Sequence, residues 1–219
     1  MSLRSTVVTL VACMMSIFVA HAAFAQVGKH GAYSGKIAVT HSEKTRLENM
    51  TLQGEVKLSF PVTSRSATAM EADLLDGASA KGTMLVTQYD TFQTASGPDS
   101  GGQINTTTCK LAQPIEVPLM VQGMFSVNLS KKMYTFSLAL LSQKEVPMNC
   151  VHSRSGAMKR NKGFTLGVGT HEPGPPPDKG VAFKDVGLLA ASFTMPQGPA
   201  MKGQGVLPVV QAWEFKLQP

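Results

Sequence analysis

The sequence predicts an all-β protein: a single antiparallel β-sandwich or barrel-like domain that follows an N-terminal signal peptide. Apolar and polar residues alternate along several long segments, which is the period of a strand with one buried face. No window carries apolar residues at the helical positions i, i+3, i+4 and i+7 over three turns. The 20 Gly and 13 Pro supply turns between these segments. Strands joined by polar turns, without intervening helices, favour an antiparallel fold over an α/β fold.

The first 25 residues have the organisation of an export signal. Arg4 precedes an uncharged, largely apolar stretch at residues 5–28, and an A-x-A site ends at Ala25. These three features predict cleavage after Ala25. The mature chain, residues 26–219, then forms the single predicted domain.

Two alternatives to a cleaved export signal remain open at this stage. The apolar stretch is long enough to stay as a membrane anchor, and the residues before Cys13 resemble a bacterial lipobox. The Ala-Phe-Ala-Gln junction is typical of a bacterial periplasmic or secreted protein, which is the location we expect. After cleavage, no transmembrane span is expected.

Three segments carry the clearest strand patterns. In residues 50–62 the even positions are apolar and most odd positions are polar. Residues 115–129 show the same alternation over a length that includes Pro118, which cannot donate a ladder hydrogen bond. Pro114, just before the segment, has the same limitation, so we expect an edge portion followed by a properly paired one. A third run at residues 134–140 predicts a hairpin with its tip near Lys131.

Other segments give weaker signals. Residues 94–106 and 171–180 are predicted loops because they are rich in small, polar or proline residues. A short helix near residues 67–75 is an alternative to a strand there. The weaker strand predictions are residues 36–41, 70–74, 83–92, 164–168, 181–195 and 209–217.

Two glycines interrupt alternating segments, and each follows a glutamine. Gly54 lies in the first segment and Gly123 in the second, with similar apolar spacing after both. Glycine inside a strand favours a bulge or a close approach of two backbones. Duplication of a half-domain is a second interpretation of this similarity.

Removal of residues 1–25 leaves two cysteines, Cys109 and Cys150, in a chain bound for an oxidising compartment. A disulfide between them is the expected state. The chain-entropy model gives about 4 kcal/mol for closing a loop of this length.

The whole chain has a formal net charge of +6. The excess of positive charge is concentrated in the middle of the sequence. Residues 99–162 hold eight basic and three acidic residues, whereas the flanking parts of the mature chain are balanced. The cluster predicts an anion-binding loop that contacts an acidic envelope component or protein partner, with nucleic acid not expected. A solvated surface loop is the alternative. The candidate anion-binding residues are Arg154, Lys159, Arg160 and Lys162.

No residue pattern points to a reaction or a cofactor. Nucleophile-elbow, zinc-protease and phosphate-loop motifs are absent from the sequence. Cys150 and His152 could share one strand face as metal ligands, but a disulfide at Cys150 removes the thiolate. No catalytic, cofactor-binding or metal site is therefore predicted. The mature histidines are His30, His41, His152 and His171.

These observations favour an exported, non-enzymatic binding or envelope-accessory β-domain. One alternative is a hydrolase acting on an acidic periplasmic polymer, with a site assembled from loops. The other is a barrel that carries a small apolar ligand, which requires an open interior. That interior would be lined by residues such as Leu58, Phe60, Phe125, Val127 and Phe136.

Overall fold

A computed structural model describes residues 30–44, 47–95, 104–170, 180–195 and 209–219. The predicted signal peptide, most of the predicted loop at 94–106, and His171 with the proline-rich stretch lie outside these residues. Within them the regular secondary structure is β-strand, as the alternation predicts. The described segments include no helix of the length and apolarity needed to cross a membrane.

In the described residues, fourteen strands form one continuous, curled sheet, and every pairing in it is antiparallel. One curled sheet matches the barrel-like prediction better than a sandwich of two separate sheets. The strands are β1 (Ala32–Lys44), β2 (Glu48–Pro61), β3 (Ser64–Arg65), β4 (Ala69–Asp73), β5 (Lys81–Ala95), β6 (Asn105–Leu111), β7 (Ile115–Asn128), β8 (Met133–Ser142), β9 (Val146–His152), β10 (Gly156–Lys162), β11 (Thr165–Gly169), β12 (Val181–Ala182), β13 (Leu188–Met195) and β14 (Val209–Gln218).

The sheet forks at β5. Along one edge β5 pairs with β2 over nearly its whole length. Along its other edge it pairs with β7 at residues 82–86 and with β6 at residues 90–95. The fork divides the molecule into two regions. The half-barrel contains β13, β14, β1, β2, the first half of β5, β7, β8 and β11; the arm contains β6, β9, β10 and the second half of β5.

The curl of the half-barrel brings β14 opposite β8, although the two strands share no ladder. The rings of Phe215 and Phe136 lie 5.6 Å apart. The indole nitrogen of Trp213 donates a 2.7 Å hydrogen bond to the hydroxyl of Tyr134. Phe125 occupies the centre of this core, with five rings at centroid distances of 5.0 to 6.3 Å. These rings belong to Tyr33, Phe60, Tyr134, Phe136 and Phe215.

The second alternating segment, residues 115–129, begins with the edge portion that its prolines predict. At Pro118, β7 pairs with β5 only, and the ladder with β8 begins at Leu119. The segment therefore starts as an edge, which confirms the expectation. Residues 124–128 are paired on both sides, with β8 and β4, whereas residues 120–123 are paired with β8 only. The hairpin tip near Lys131 is also confirmed: the Asn128 side chain accepts a 2.8 Å hydrogen bond from the Lys131 amide, and Lys132 has a φ of 51°.

Both glycines of the Gln-Gly pairs lie at close backbone approaches. The β2–β5 register shifts between Gln53 and Gly54, and a Cβ at Gly54 would stand 2.3 Å from the carbonyl oxygen of Leu85. Gly123 has a φ of 144°, and a Cβ there would stand 2.0 Å from the carbonyl oxygen of Ser137. Any larger residue at either position must displace the neighbouring strand, which is why glycine is required.

The weak strand prediction at residues 70–74 is confirmed, and the alternative helix at residues 67–75 is wrong, because β4 pairs with β7 and buries Met70 and Ala72. Other expectations from the sequence are wrong. Residues 181–195 form two strands with a turn between them rather than one. The two-residue β3 also went unpredicted. So did β6, β9 and β10: β6 and β10 are mostly polar, whereas β9 does alternate and buries Val146, Met148 and Cys150. These three strands form the arm, where side chains on one face are exposed to solvent.

Candidate anion-binding surfaces

The predicted disulfide joins two strands of the arm. Cys109 on β6 and Cys150 on β9 are directly opposite each other, with a Cα–Cα distance of 4.0 Å, and both are buried. The bond confirms the expected pairing. It also leaves no thiolate at Cys150, so a metal site formed by Cys150 and His152 has no support.

The four candidate basic residues belong to the β9–β10 hairpin rather than to an irregular loop. Arg154 lies in the turn of this hairpin, and the other three residues lie on β10. β10 is an edge strand of the sheet, because it pairs with β9 only. The imidazole Nδ1 of His152 accepts hydrogen bonds of 3.2 Å from the amides of Arg154 and Ser155. This histidine therefore stabilises the turn.

Strand alternation divides the basic residues of β10 between two faces. Met158 is opposite Cys150, so Arg160 and Lys162 share the inner face of the arm. Lys159 is on the outer face, in register with Asn149 and, one strand further, Lys110. The four residues consequently do not form one compact patch.

Lys162 has an acidic partner on a strand outside the hairpin. Its ammonium lies 2.8 Å from Oε1 of Glu48 at the start of β2. Hydrogen bonds from Lys162 and, more weakly, from Gln93 hold the pKa of Glu48 below its usual value, although partial burial acts in the opposite direction. Lys162 is half-buried, whereas Arg154, Lys159 and Arg160 are exposed. The exposed positive charge of the hairpin is therefore carried by these three.

A second basic surface lies on the outer face of the half-barrel, where β14, β1, β2 and β5 are adjacent. Two rows of side chains border a depression of about 740 Å³, which we call the lysine groove. Between these two rows lies a third row of residues, none of which has a side chain on the outer face, because successive side chains of a strand point to opposite faces. The backbone of this third row forms the floor of the groove. The first row is Lys216, Ser34, Ser59 and Lys81, and the second row is Glu214, Lys36, Lys57 and Thr83.

Charge in the lysine groove is only partly compensated. Lys36 lies 3.1 Å from Glu55, and Lys216 lies 3.1 Å from Glu214. Lys57 has no ion-pair partner within the part of the chain that the structure describes. It is directly opposite Lys36 on the neighbouring strand, and two like charges in that position repel each other.

The charge count along the chain does not predict the lysine groove. Its four lysines come from the two flanking parts of the mature chain, where acidic and basic residues are balanced. They become neighbours only through the pairing of four strands. The available signal was their position: Lys36, Lys57 and Lys216 all alternate with buried residues, so each points outward.

Among the residues that the structure describes, no three His, Cys, Asp or Glu side chains form a group that could hold a metal ion. The Asp76 carboxylate accepts hydrogen bonds from the Ser79 hydroxyl and from the amides of Ala78 and Ser79, which lower its pKa. This aspartate therefore shapes a turn. His41 has a buried Nδ1 without a hydrogen-bond partner; burial lowers its pKa, and Glu43 opposes that effect.

Comparison with known proteins finds no family model, no curated protein and no solved structure that matches this chain.

Proposed function

We propose that this chain is an exported, non-enzymatic binding domain that contacts an acidic envelope component through the β9–β10 hairpin. One observation carries the proposal. The hairpin exposes Arg154, Lys159 and Arg160, and residues 146–162 contain no acidic residue. Three exposed cations on one projecting element attract an extended polyanion more strongly than the same charges dispersed among acids.

The outer face of the arm extends this surface. Lys110 is two strands away from Lys159 in the same row, which corresponds to about 10 Å at the usual strand spacing. An extended polyanion lying across the strands can reach both ammonium groups. Asp90 follows Lys110 in that row and marks where the basic surface ends.

Export is supported by two independent features. The A-x-A site at Ala25 follows a basic start and an apolar stretch, and the arm carries a disulfide of the kind that persists in oxidising compartments. The mass of protein recovered from periplasm or medium tests this part. A chain that begins at Gln26 is the expected result, and retention of residues 1–25 would refute it.

The two alternative functions receive less support. A hydrolase needs a titratable group directed into a cleft, but the Nδ1 of His152 is occupied by its own turn. A carrier of apolar ligands needs an open interior, whereas rings pack around Phe125 at the centre of the half-barrel. The binding function requires neither feature.

The experiment measures heparin binding, at low and at high salt, by the wild type and two triple variants. The test variant is Arg154→Ser, Lys159→Ser and Arg160→Ser, which leaves the Lys162–Glu48 pair intact. The control removes the same charge from other turns through Lys131→Ser, Lys132→Asn and Lys144→Ser; Asn suits the positive φ of Lys132.

We expect the test variant to lose most of the binding and the control to retain it, with unchanged melting temperatures because exposed charges contribute little to stability. Wild-type binding should weaken steeply with salt, since the Debye length is about 8 Å at physiological ionic strength. Equal binding by both variants, or none by the wild type at low salt, would refute the role of the hairpin.

A further inference from the structure

We propose that the outer face of the arm is a docking surface for a lipid bilayer that contains anionic lipids. The inference rests on the proposed function of the hairpin, because it specifies which acidic component the arm contacts. An exposed row of apolar side chains lies beside basic side chains on this face. Binding to an anionic bilayer uses both kinds of side chain, whereas binding to a soluble polyanion requires only the basic ones.

The apolar row crosses all four strands of the arm. Phe92 on β5, Thr108 on β6, Val151 on β9 and Ala157 on β10 are successive partners in register. The Phe92 side chain is 37% exposed and that of Val151 is 59% exposed. Their neighbours along each strand point to the opposite face, so the row faces outward. Transfer of this apolar surface out of water is favourable.

Basic side chains border the apolar row on the same face. Lys110 and Lys159 lie two residues further along β6 and β10, about 7 Å from the row at the usual rise of a strand. Lys44 continues the row on β1, beyond Asn49. The three lysines are exposed, and none forms an ion pair in the part of the chain that the structure describes. Asp90 is the one acidic residue at the outward-facing positions of these described strands.

A second exposed apolar pair shows why charge favours the arm. Leu75 and Met124 on the half-barrel are 62% and 60% exposed. Asp73 is directly opposite Met124, however, and Glu71 lies on the same face of β4. An anionic bilayer repels these two carboxylates and attracts the lysines of the arm. Charge complementarity therefore selects the outer face of the arm as the side that meets the bilayer.

The two kinds of side chain have separate tasks at a bilayer. The ammonium groups of Lys110 and Lys159 can reach headgroup phosphates, since long basic side chains extend their charge away from apolar surface. Phe92 and Val151 then enter the boundary between headgroups and acyl chains. The electrostatic attraction is screened by salt, but the apolar contact is not. The apolar row is therefore the feature that distinguishes a bilayer from a soluble acidic polymer.

The first experiment measures sedimentation of the mature chain with vesicles of phosphatidylcholine alone or mixed with phosphatidylglycerol. We expect binding to the mixed vesicles. Phe92→Thr with Val151→Thr should weaken it by at least about tenfold through loss of apolar contact. The same variant should keep heparin binding, which also shows that it folds, because its charge is unchanged. Leu75→Thr with Met124→Thr is the matched control and should bind the mixed vesicles as the wild type does.

A tryptophan reporter locates the contact. The sequence has one tryptophan, Trp213, which is buried in the half-barrel. The emission added by Val151→Trp should be quenched by mixed vesicles whose acyl chains carry bromine. The emission added by Met124→Trp should not be quenched, because the acidic side chains keep that surface away from the bilayer. Equal quenching of the two variants would contradict docking through the arm.

The outcomes separate this inference from the proposed function. If the wild type binds heparin but not the mixed vesicles, the membrane inference is wrong, the hairpin keeps its role, and the apolar row points to a protein partner. If the wild type binds neither at low salt, both proposals are overturned. Vesicle binding that needs no phosphatidylglycerol, or that Phe92→Thr with Val151→Thr leaves unchanged, would also overturn the docking surface.

Discussion

The half-barrel and the arm are parts of one sheet, but they are held together by different interactions. In the half-barrel, Phe125 contacts five other rings, and Trp213 links β14 to Tyr134 across the core. The arm has a buried disulfide, and beside it Tyr89 and Phe164 form an edge-to-face ring pair at 6.1 Å. A region with little apolar surface to bury gains stability from a covalent link instead.

One device is common to both regions. Tyr33 in the half-barrel donates a 2.9 Å hydrogen bond to the carbonyl of Val186, and Tyr89 on β5 beside the arm donates one of 3.1 Å to the carbonyl of Gly163. Burial raises the pKa of each to about 12. In both places a large ring fills the interior while its hydroxyl satisfies a backbone acceptor. The contrast between the regions therefore lies in how many rings surround each tyrosine.

The largest expected effect comes from removing the central ring of the half-barrel. Phe125→Ala should destabilise the protein by about 3 to 5 kcal/mol, the range for a buried phenylalanine, because five rings lose a shared neighbour. Chemical denaturation measures the change. Phe92→Ala is the matched control, since Phe92 lies on the arm and is 37% exposed. Similar losses for the two variants would show that the ring cluster is not the main source of stability.

The disulfide should matter somewhat less and more locally. Replacing both cysteines, Cys109→Ser with Cys150→Ser, should cost about 2 to 5 kcal/mol. Hydrogen exchange should accelerate mainly at β6, β9 and β10, because the link closes these strands of the arm. Reduction of the wild type should reproduce the pattern. Exchange that accelerates uniformly over both regions would contradict the division into two differently stabilised parts.

The smallest effect is expected at the ion pair that joins the arm to β2. The Lys162–Glu48 coupling should amount to about 0.2 to 1 kcal/mol, since both side chains are more than a third exposed. The pKa of Glu48 is lowered in the folded state, so its contribution is present above the unfolded pKa and is lost as the pH falls through the folded one. A double-mutant cycle with Glu48→Gln and Lys162→Gln, measured from neutral to acidic pH, tests both statements. A coupling that persists in acid would be inconsistent with this assignment.

Alternation by itself determined much of this fold. It placed β2, β7 and β8 and predicted which of their residues are buried, because a strand exposes successive side chains to opposite faces. The two cysteines of the mature chain predicted their own pairing, and Pro118 predicted the edge portion of β7. Each of these features depends either on local chemistry or on two cysteines that have no other cysteine to pair with in the mature chain.

Only the tertiary structure decided which strands are neighbours. The fork at β5, the opposition of Lys36 and Lys57, and the contact of Lys162 with Glu48 all join residues far apart in sequence. A period of two fixes the face of a side chain but carries no information about the partner strand or its register. The mostly polar β10 was hidden for the same reason: it is a strand because β9 offers its backbone hydrogen bonds, not because its own residues require it.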